Sequence, residues 1–132
     1  MTTYTELHCH SNYSFQEGAS SIDELLARAT ELGYHALALT DHDNLCGAME
    51  FAQWAGRLGV RPITGVEVTL QGASVRSRSE AQAHSSTQSE SNSSSGHMTL
   101  LATNATGYSN VSRLLSLGYA TSERRDPKID PR

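Results

Sequence analysis

Between residues 4 and 70 the apolar periodicity switches from strand-like to helix-like and back, twice over, which confines the chain to a small set of α/β architectures. Tyr4 to His8 reads as a strand. Ile22, Leu25, Leu26, Ala29 and Leu32 then follow the i, i+3, i+4, i+7, i+10 stripe of a one-sided helix. Ser21 with Glu24 has the form of a capping box, and Gly33 stands where a left-handed C-terminal cap belongs. Ala36 to Thr40 is a nearly continuous apolar run, as expected of a parallel strand buried on both faces. A second helix is predicted from about Leu45 to Leu58, closed by Gly59. Val60 to Leu70 holds a third strand, with Pro62 near its start, where a missing N–H is tolerated. Such a βαβαβ unit with right-handed crossovers makes its strands parallel and adjacent.

Metal-grade side chains cluster where those strands finish. His8 and His10 stand at i and i+2, so in an extended chain both imidazoles project from one face and Cys9 from the other. A single ion could bridge them. Asp41 and His42 follow the second strand, and Glu67 lies in the third, so these residues converge at the end where α/β barrels carry their chemistry. The pattern points to a metal-dependent hydrolytic site. Cys9 is expected to pack away from the site and Cys46 to lie in a first helical turn; His35 and His84 are assigned no role.

Residues 71–96 break the alternation. Ten of these 26 residues are serine and only Val75 is a larger aliphatic, so the stretch is expected to be a disordered loop or insert. Order is expected again at residues 97–121, with a strand at Met98 to Ala102 and a helical stripe of Tyr108, Val111, Leu114 and Leu115 ending near Gly118. Residues 122–132 are charged, contain two prolines and show no core pattern, and are expected to form a polar tail. At a net charge of −4 the chain is no nucleic-acid clamp, since only Arg124, Arg125, Lys128 and Arg132 form a basic cluster. No apolar run is long enough to span a membrane, and the first residues lack the pattern of a secretory signal. Two cysteines make no disulfide framework, which fits a cytoplasmic setting.

Several tracts, taken in order, resemble one family. Glu6-Leu7-His8-Cys9-His10-Ser11-Asn12-Tyr13-Ser14-Phe15-Gln16-Glu17-Gly18-Ala19 is similar to the opening motif of PHP (polymerase and histidinol phosphatase) domains at the N-terminus of bacterial DNA polymerases of the polymerase III α type, replicative and error-prone. Ala38 to Ala48, around Asp41-His42-Asp43, resembles the second motif, and Arg61-Pro62-Ile63-Thr64-Gly65-Val66-Glu67 the third. His97-Met98-Thr99-Leu100-Leu101-Ala102, with Gly107-Tyr108-Ser109-Asn110, resembles the polymerase version.

The resemblance implies a distorted (β/α)7, TIM-like barrel, of which this chain looks like the N-terminal part, with residues 1–70 as its first βαβαβ section. It implies metal ligation by His8, His10, Glu17, His42, Glu67 and His97, with Asp41 and His42 taking the catalytic roles and Asp41 orienting a ligand or sitting at the rim. The family's pattern has Asp more often where Glu17 stands. Its later strands supply another His or Cys and a final Asp-x-His pair, and no Asp-x-His occurs here, so catalysis by this chain alone is not expected. Imidazole and carboxylate ligands suit Zn2+ or Mn2+, less often Mg2+, and a cluster of two or three ions would lower the pKa of a bound water toward about 7 for attack on phosphorus. The polymerase setting implies DNA, the other polymerase domains and replication accessory proteins as partners, while exposed barrel faces imply self-association. A stand-alone phosphatase of the histidinol phosphate type and a non-catalytic remnant are the alternative readings.

Overall fold

The computed structural model describes residues 4–70, 96–122 and 127–130. The order is α1 (Ile22–Glu31), β1 (Ala36–Leu39), α2 (Ala48–Leu58), β2 (Arg61–Leu70), β3 (Gly96–Leu101) and α3 (Ala105–Thr121). The expected disorder of residues 71–96 falls almost wholly outside the described residues, as do Arg124, Arg125 and Arg132.

Local chemistry accounts for the element ends. The Ser21 N–H donates to the Glu24 carboxylate at 2.9 Å, one arm of the expected capping box. At the other end of α1, Gly33 adopts φ +72°, its N–H reaches the Thr30 carbonyl at 3.0 Å, and the Tyr34 N–H reaches that of Ala29 at 2.9 Å. That is a Schellman closure, which favours glycine because the left-handed conformation carries no Cβ penalty. Helix α2 starts three residues later than predicted, because the Asn44 side chain takes the Cys46 N–H at 3.0 Å and holds that segment in a turn.

The sheet has the order β1-β2-β3. β1 and β2 are parallel, Ala36 opposite Arg61 and Leu39 opposite Thr64, as the βαβ reading predicts. Two expectations need correction. The predicted first strand is reduced to a single parallel bridge, Glu6 to Leu37; the Cys9 N–H bonds to the Thr40 hydroxyl at 3.0 Å rather than to a backbone carbonyl, so no regular ladder forms. Instead of another parallel barrel strand, β3 is antiparallel to β2, with Gly65 opposite Leu101 and Thr69 opposite His97. An antiparallel neighbour needs only a chain reversal, whereas a parallel one needs a crossover.

The core consists of two apolar clusters whose strand residues share one face of this sheet. Ile22, Leu26, Ala29, Leu37, Leu39, Phe51, Ala55 and Val60 form one apolar cluster, under α1 and α2. Val66, Val68, Val111, Leu115 and Ile129 form a second, against α3. Ile129 belongs to the segment expected to be a polar tail, yet it is buried and its N–H donates to the Thr69 carbonyl at 2.9 Å. One isoleucine among charged residues leaves no periodic signal, so its core role was invisible in the sequence. No helix among the described residues is long and apolar enough to cross a membrane.

Candidate metal centre

β1 ends at Leu39 while β2 continues to Leu70, so Glu67 sits mid-strand but beyond the last β1 pairing, at Thr64. The space past the end of β1 is filled by imidazoles. A parallel bridge couples His42 to Glu67. His8 and His10 enter from the segment alongside β1, with ring centroids 5.1 Å apart, while Cys9 between them packs against the first core cluster. His97 enters from β3, its ring 4.8 Å from that of His42.

Glu67 is the common partner. Its carboxylate lies 3.1 Å from His8 Nε2, 3.3 Å from His10 Nε2, 3.0 Å from His42 Nδ1 and 3.8 Å from His97 Nδ1. Glu17 adds a second carboxylate, 3.4 Å from His10 Nδ1 and 3.5 Å from His42 Nδ1. Every residue given a metal role in the sequence analysis is therefore brought to one place. Within it His8, His10 and Glu67, and separately His42, Glu67 and His97, present ligand atoms within 4.8 Å of one another. His10 Nε2 is buried without a hydrogen-bond partner among the described residues, although it lies 3.3 Å from the Glu67 carboxylate. An unpaired buried nitrogen costs free energy that a cation would recover. Neutral imidazoles with two carboxylates carry the charge that balances one divalent ion. The donor set thus fits a divalent metal.

Asp41 is not at the rim. It is 2% exposed, and its carboxylate accepts from the Ser11 N–H (2.7 Å), the Ser11 hydroxyl (2.8 Å) and the Ser14 hydroxyl (2.7 Å). Ser14 Oγ in turn accepts from the His42 N–H at 2.9 Å. Asp41 therefore ties the loop after His10 to the backbone of His42. Ser11, Ser14, Asp43 and Thr69 carry little signal in the sequence; the one cue is Asp43 standing next to His42 in an acidic tract.

The same loop explains Gly18. A Cβ there would lie 2.0 Å from the Ser11 carbonyl oxygen, a backbone atom that must then move. Ser11 adjoins His10 and Gly18 adjoins Glu17, so Gly18→Ala should cost about 1–3 kcal/mol by overpacking and weaken divalent-metal uptake. Chemical denaturation and metal titration check both; a variant matching wild type in both would count against this placement.

Burial, the largest influence on His42, pulls its pKa down, but the Glu67 hydrogen bond and the charges of Asp43, Glu17 and Glu67 outweigh it and raise it. Burial likewise pushes Glu67 up, and the His42 hydrogen bond with the His10, His8 and His97 charges brings it below its ordinary value. In chelator-treated protein the His42 contribution is fully present below pH 6.5 and lost as pH rises through its raised value. That of Glu67 is present above pH 4.5 and lost as pH falls through its lowered value. The metal-free chain should therefore unfold at its highest temperature between these limits. A Tm that climbs steadily from pH 5 to pH 8 would contradict this.

The model of the PHP domain family matches residues 6–132. The chain belongs to the PHP domain family. This PHP chain is 41% identical over 128 residues to an error-prone DNA polymerase of Mycobacterium tuberculosis, covering 96% of the chain and 11% of that protein. It is 38% identical over 123 residues to an error-prone DNA polymerase of Symbiobacterium thermophilum, 93% of the chain and 9% of that protein. With the DNA polymerase III subunit alpha of Borreliella burgdorferi it shares 34% identity over 127 residues, 96% of the chain and 10% of that protein. The PHP chain thus spans about a tenth of the length of these relatives. Among solved structures, a Bifidobacterium adolescentis protein assigned as a metal-dependent phosphoesterase superposes with TM-score 0.59 at 22% identity, over 90% of this chain and 34% of that one. An amidohydrolase from Chromobacterium violaceum with bound sulfate superposes with TM-score 0.56 at 26% identity, over 83% and 32%. The likeness supports the partial TIM-like barrel anticipated from the sequence.

Proposed function

We propose that this PHP chain is the metal-binding part of a phosphoesterase centre within a DNA polymerase of the error-prone or polymerase III α kind. The observation that carries the reading is the convergence of His8, His10, His42 and His97 on Glu67, with Glu17 beside them and His10 Nε2 without a hydrogen bond among the described residues. Those six side chains would hold the metal. Zn2+ or Mn2+ suits their mixture of imidazole and carboxylate, and Mg2+, which prefers oxygen, suits it less. Bound there, a divalent ion supplies Lewis acidity, acidifying water and drawing charge from phosphate oxygens. The protein's own contribution is positional. Glu67 keeps the four imidazoles together, and Asp41, through Ser14, sets the His42 backbone rather than carrying protons itself.

The polymerase context rests on 34–41% identity across more than nine-tenths of the chain, against 22–26% for the phosphoesterase-like and amidohydrolase structures. DNA and the remaining polymerase domains would then be its partners. The whole gene product tests this. Polymerase-length protein should release phosphate from a DNA phosphoester only with added Zn2+ or Mn2+, and His42→Ala should abolish that release while leaving nucleotide incorporation. A short gene product, or hydrolysis untouched by His42→Ala, would contradict the proposal.

A further inference from the structure

His42 has polar partners on both edges of its ring. Nδ1 faces Glu67 and Glu17, at 3.0 Å and 3.5 Å. Nε2 faces away from them, toward Asp43 Oδ2 at 3.1 Å and Thr69 Oγ1 at 3.2 Å. Thr69 has one hydroxyl proton, and it goes to Asp43 Oδ2 at 2.7 Å. At Nε2 both neighbours therefore present only lone pairs, so Nε2 carries a hydrogen; Nδ1 also faces carboxylates, but these are the ones that would share the cation, which there would take the proton's place.

Asp43 is held in this post from several directions. It adopts φ +52°, a conformation that aspartate tolerates better than most residues. Its N–H donates to the Glu67 carbonyl at 2.7 Å, and its own carbonyl accepts from the Tyr119 hydroxyl at 3.0 Å. Its Oδ1 accepts from the Thr69 N–H at 2.9 Å, which fixes the carboxylate plane from β2. The carboxylate is nearly buried, with a side-chain exposure of 10%.

We infer that Asp43 is a positioning residue that fixes His42 with its proton on Nε2 and thereby commits Nδ1 to the metal; the inference rests on the metal-centre reading above. A carboxylate behind a metal-bound imidazole fixes tautomer and ring orientation and raises ligand basicity. Here that partner comes from the residue next to the ligand, and Thr69 on β2 holds it in place.

The geometry makes Asp43→Asn a sharp probe. The Thr69 N–H is a fixed donor and requires the amide oxygen at the Oδ1 position, so the new NH2 group takes the Oδ2 position and faces His42 Nε2. A donor there favours the lone pair on Nε2 and the proton on Nδ1, which is the wrong tautomer for the metal. The experiment loads 15N-histidine-labelled chain with Zn2+, measures affinity by chelator competition, and reads from ring 15N shifts which His42 nitrogen is metal-bound. Wild type should bind zinc with His42 coordinated through Nδ1 and protonated on Nε2. Asp43→Asn should bind zinc about 10–100-fold more weakly, with Nδ1 coordination lost and the far-UV spectrum unchanged. A purely structural role for Asp43 would not exchange the ligating nitrogen.

Zinc bound through Nε2 in wild type, or an Asp43→Asn chain with wild-type affinity and Nδ1 coordination, would overturn the inference and leave the metal centre standing. Wild type that takes up no zinc would overturn both. If Asp43→Asn does not fold, the wild-type nitrogen assignment still decides, and Thr69→Val, which keeps the fixed N–H, should retain Nδ1 coordination.

Discussion

Glu67→Gln should remove divalent-metal binding at micromolar concentrations from a chain that stays folded. Glu67 is the one residue common to both groups of ligand atoms, and the other members are imidazoles. Glutamine keeps the side chain's size but loses its charge and turns one of the two ligating oxygens into a donor NH2. That donor would face His8, His10 or His42, whose nitrogens lie 3.0–3.3 Å from the carboxylate. The loss should exceed the roughly 10–100-fold typical of removing a residue that only supports a ligand. Titration with Zn2+ and Mn2+ reads it directly. Glu67 is mid-strand in β2, its backbone paired to β3 opposite Thr99, so the ladder survives the substitution and far-UV circular dichroism should not change. Glu67→Gln that bound metal as wild type does would remove Glu67 from the site.

The second large effect belongs to stability. Asp41→Ala strands three donors at once, the Ser11 N–H and the hydroxyls of Ser11 and Ser14, at a position only 2% exposed. A hydrogen bond to a charged group contributes about 1.5–3 kcal/mol, and water entering the vacated space recovers part of it, so the net loss should be at least about 3 kcal/mol. That is a large share of the roughly 5–15 kcal/mol by which domains are stable. Asp41→Asn is the informative control. Its oxygen can serve the Ser11 N–H and the Ser14 hydroxyl, and its NH2 can donate to Ser11 Oγ, so it should cost only about 1 kcal/mol. Denaturant unfolding distinguishes the two; equal and small losses would mean that Asp41 does not organise the loop.

What was legible in the sequence follows physical range. The α1 stripe, the Gly33 and Gly59 stops and the apolar run of β1 are local signals, and each appears in the structure within a few residues of its expected place. The His8 and His10 pairing was legible because strand alternation is a rule of two residues. The direction of β3 was not, since it depends on a long-range pairing that no residue between Gly96 and Leu101 encodes alone. Ile129 was hidden for the same reason, because its partners Val66 and Val68 lie some sixty residues earlier. At the site, residue type announced the imidazoles and Glu67, whereas the hydrogen bonds that hold them come from ordinary serines and a threonine. Asp41 was expected to orient a ligand or sit at the rim, and buried serine donors, invisible as such in the sequence, tie its carboxylate to the backbone of His42.

Metal content by plasma mass spectrometry, on chain purified without chelator and compared with His10→Ala, tests the central claim most directly. Wild type should carry one or more equivalents of zinc or manganese, lost in His10→Ala, because among the described residues His10 Nε2 is the buried side-chain nitrogen without a hydrogen bond. Wild-type protein that is folded and free of metal, and that takes up none when Zn2+ or Mn2+ is added, would contradict it.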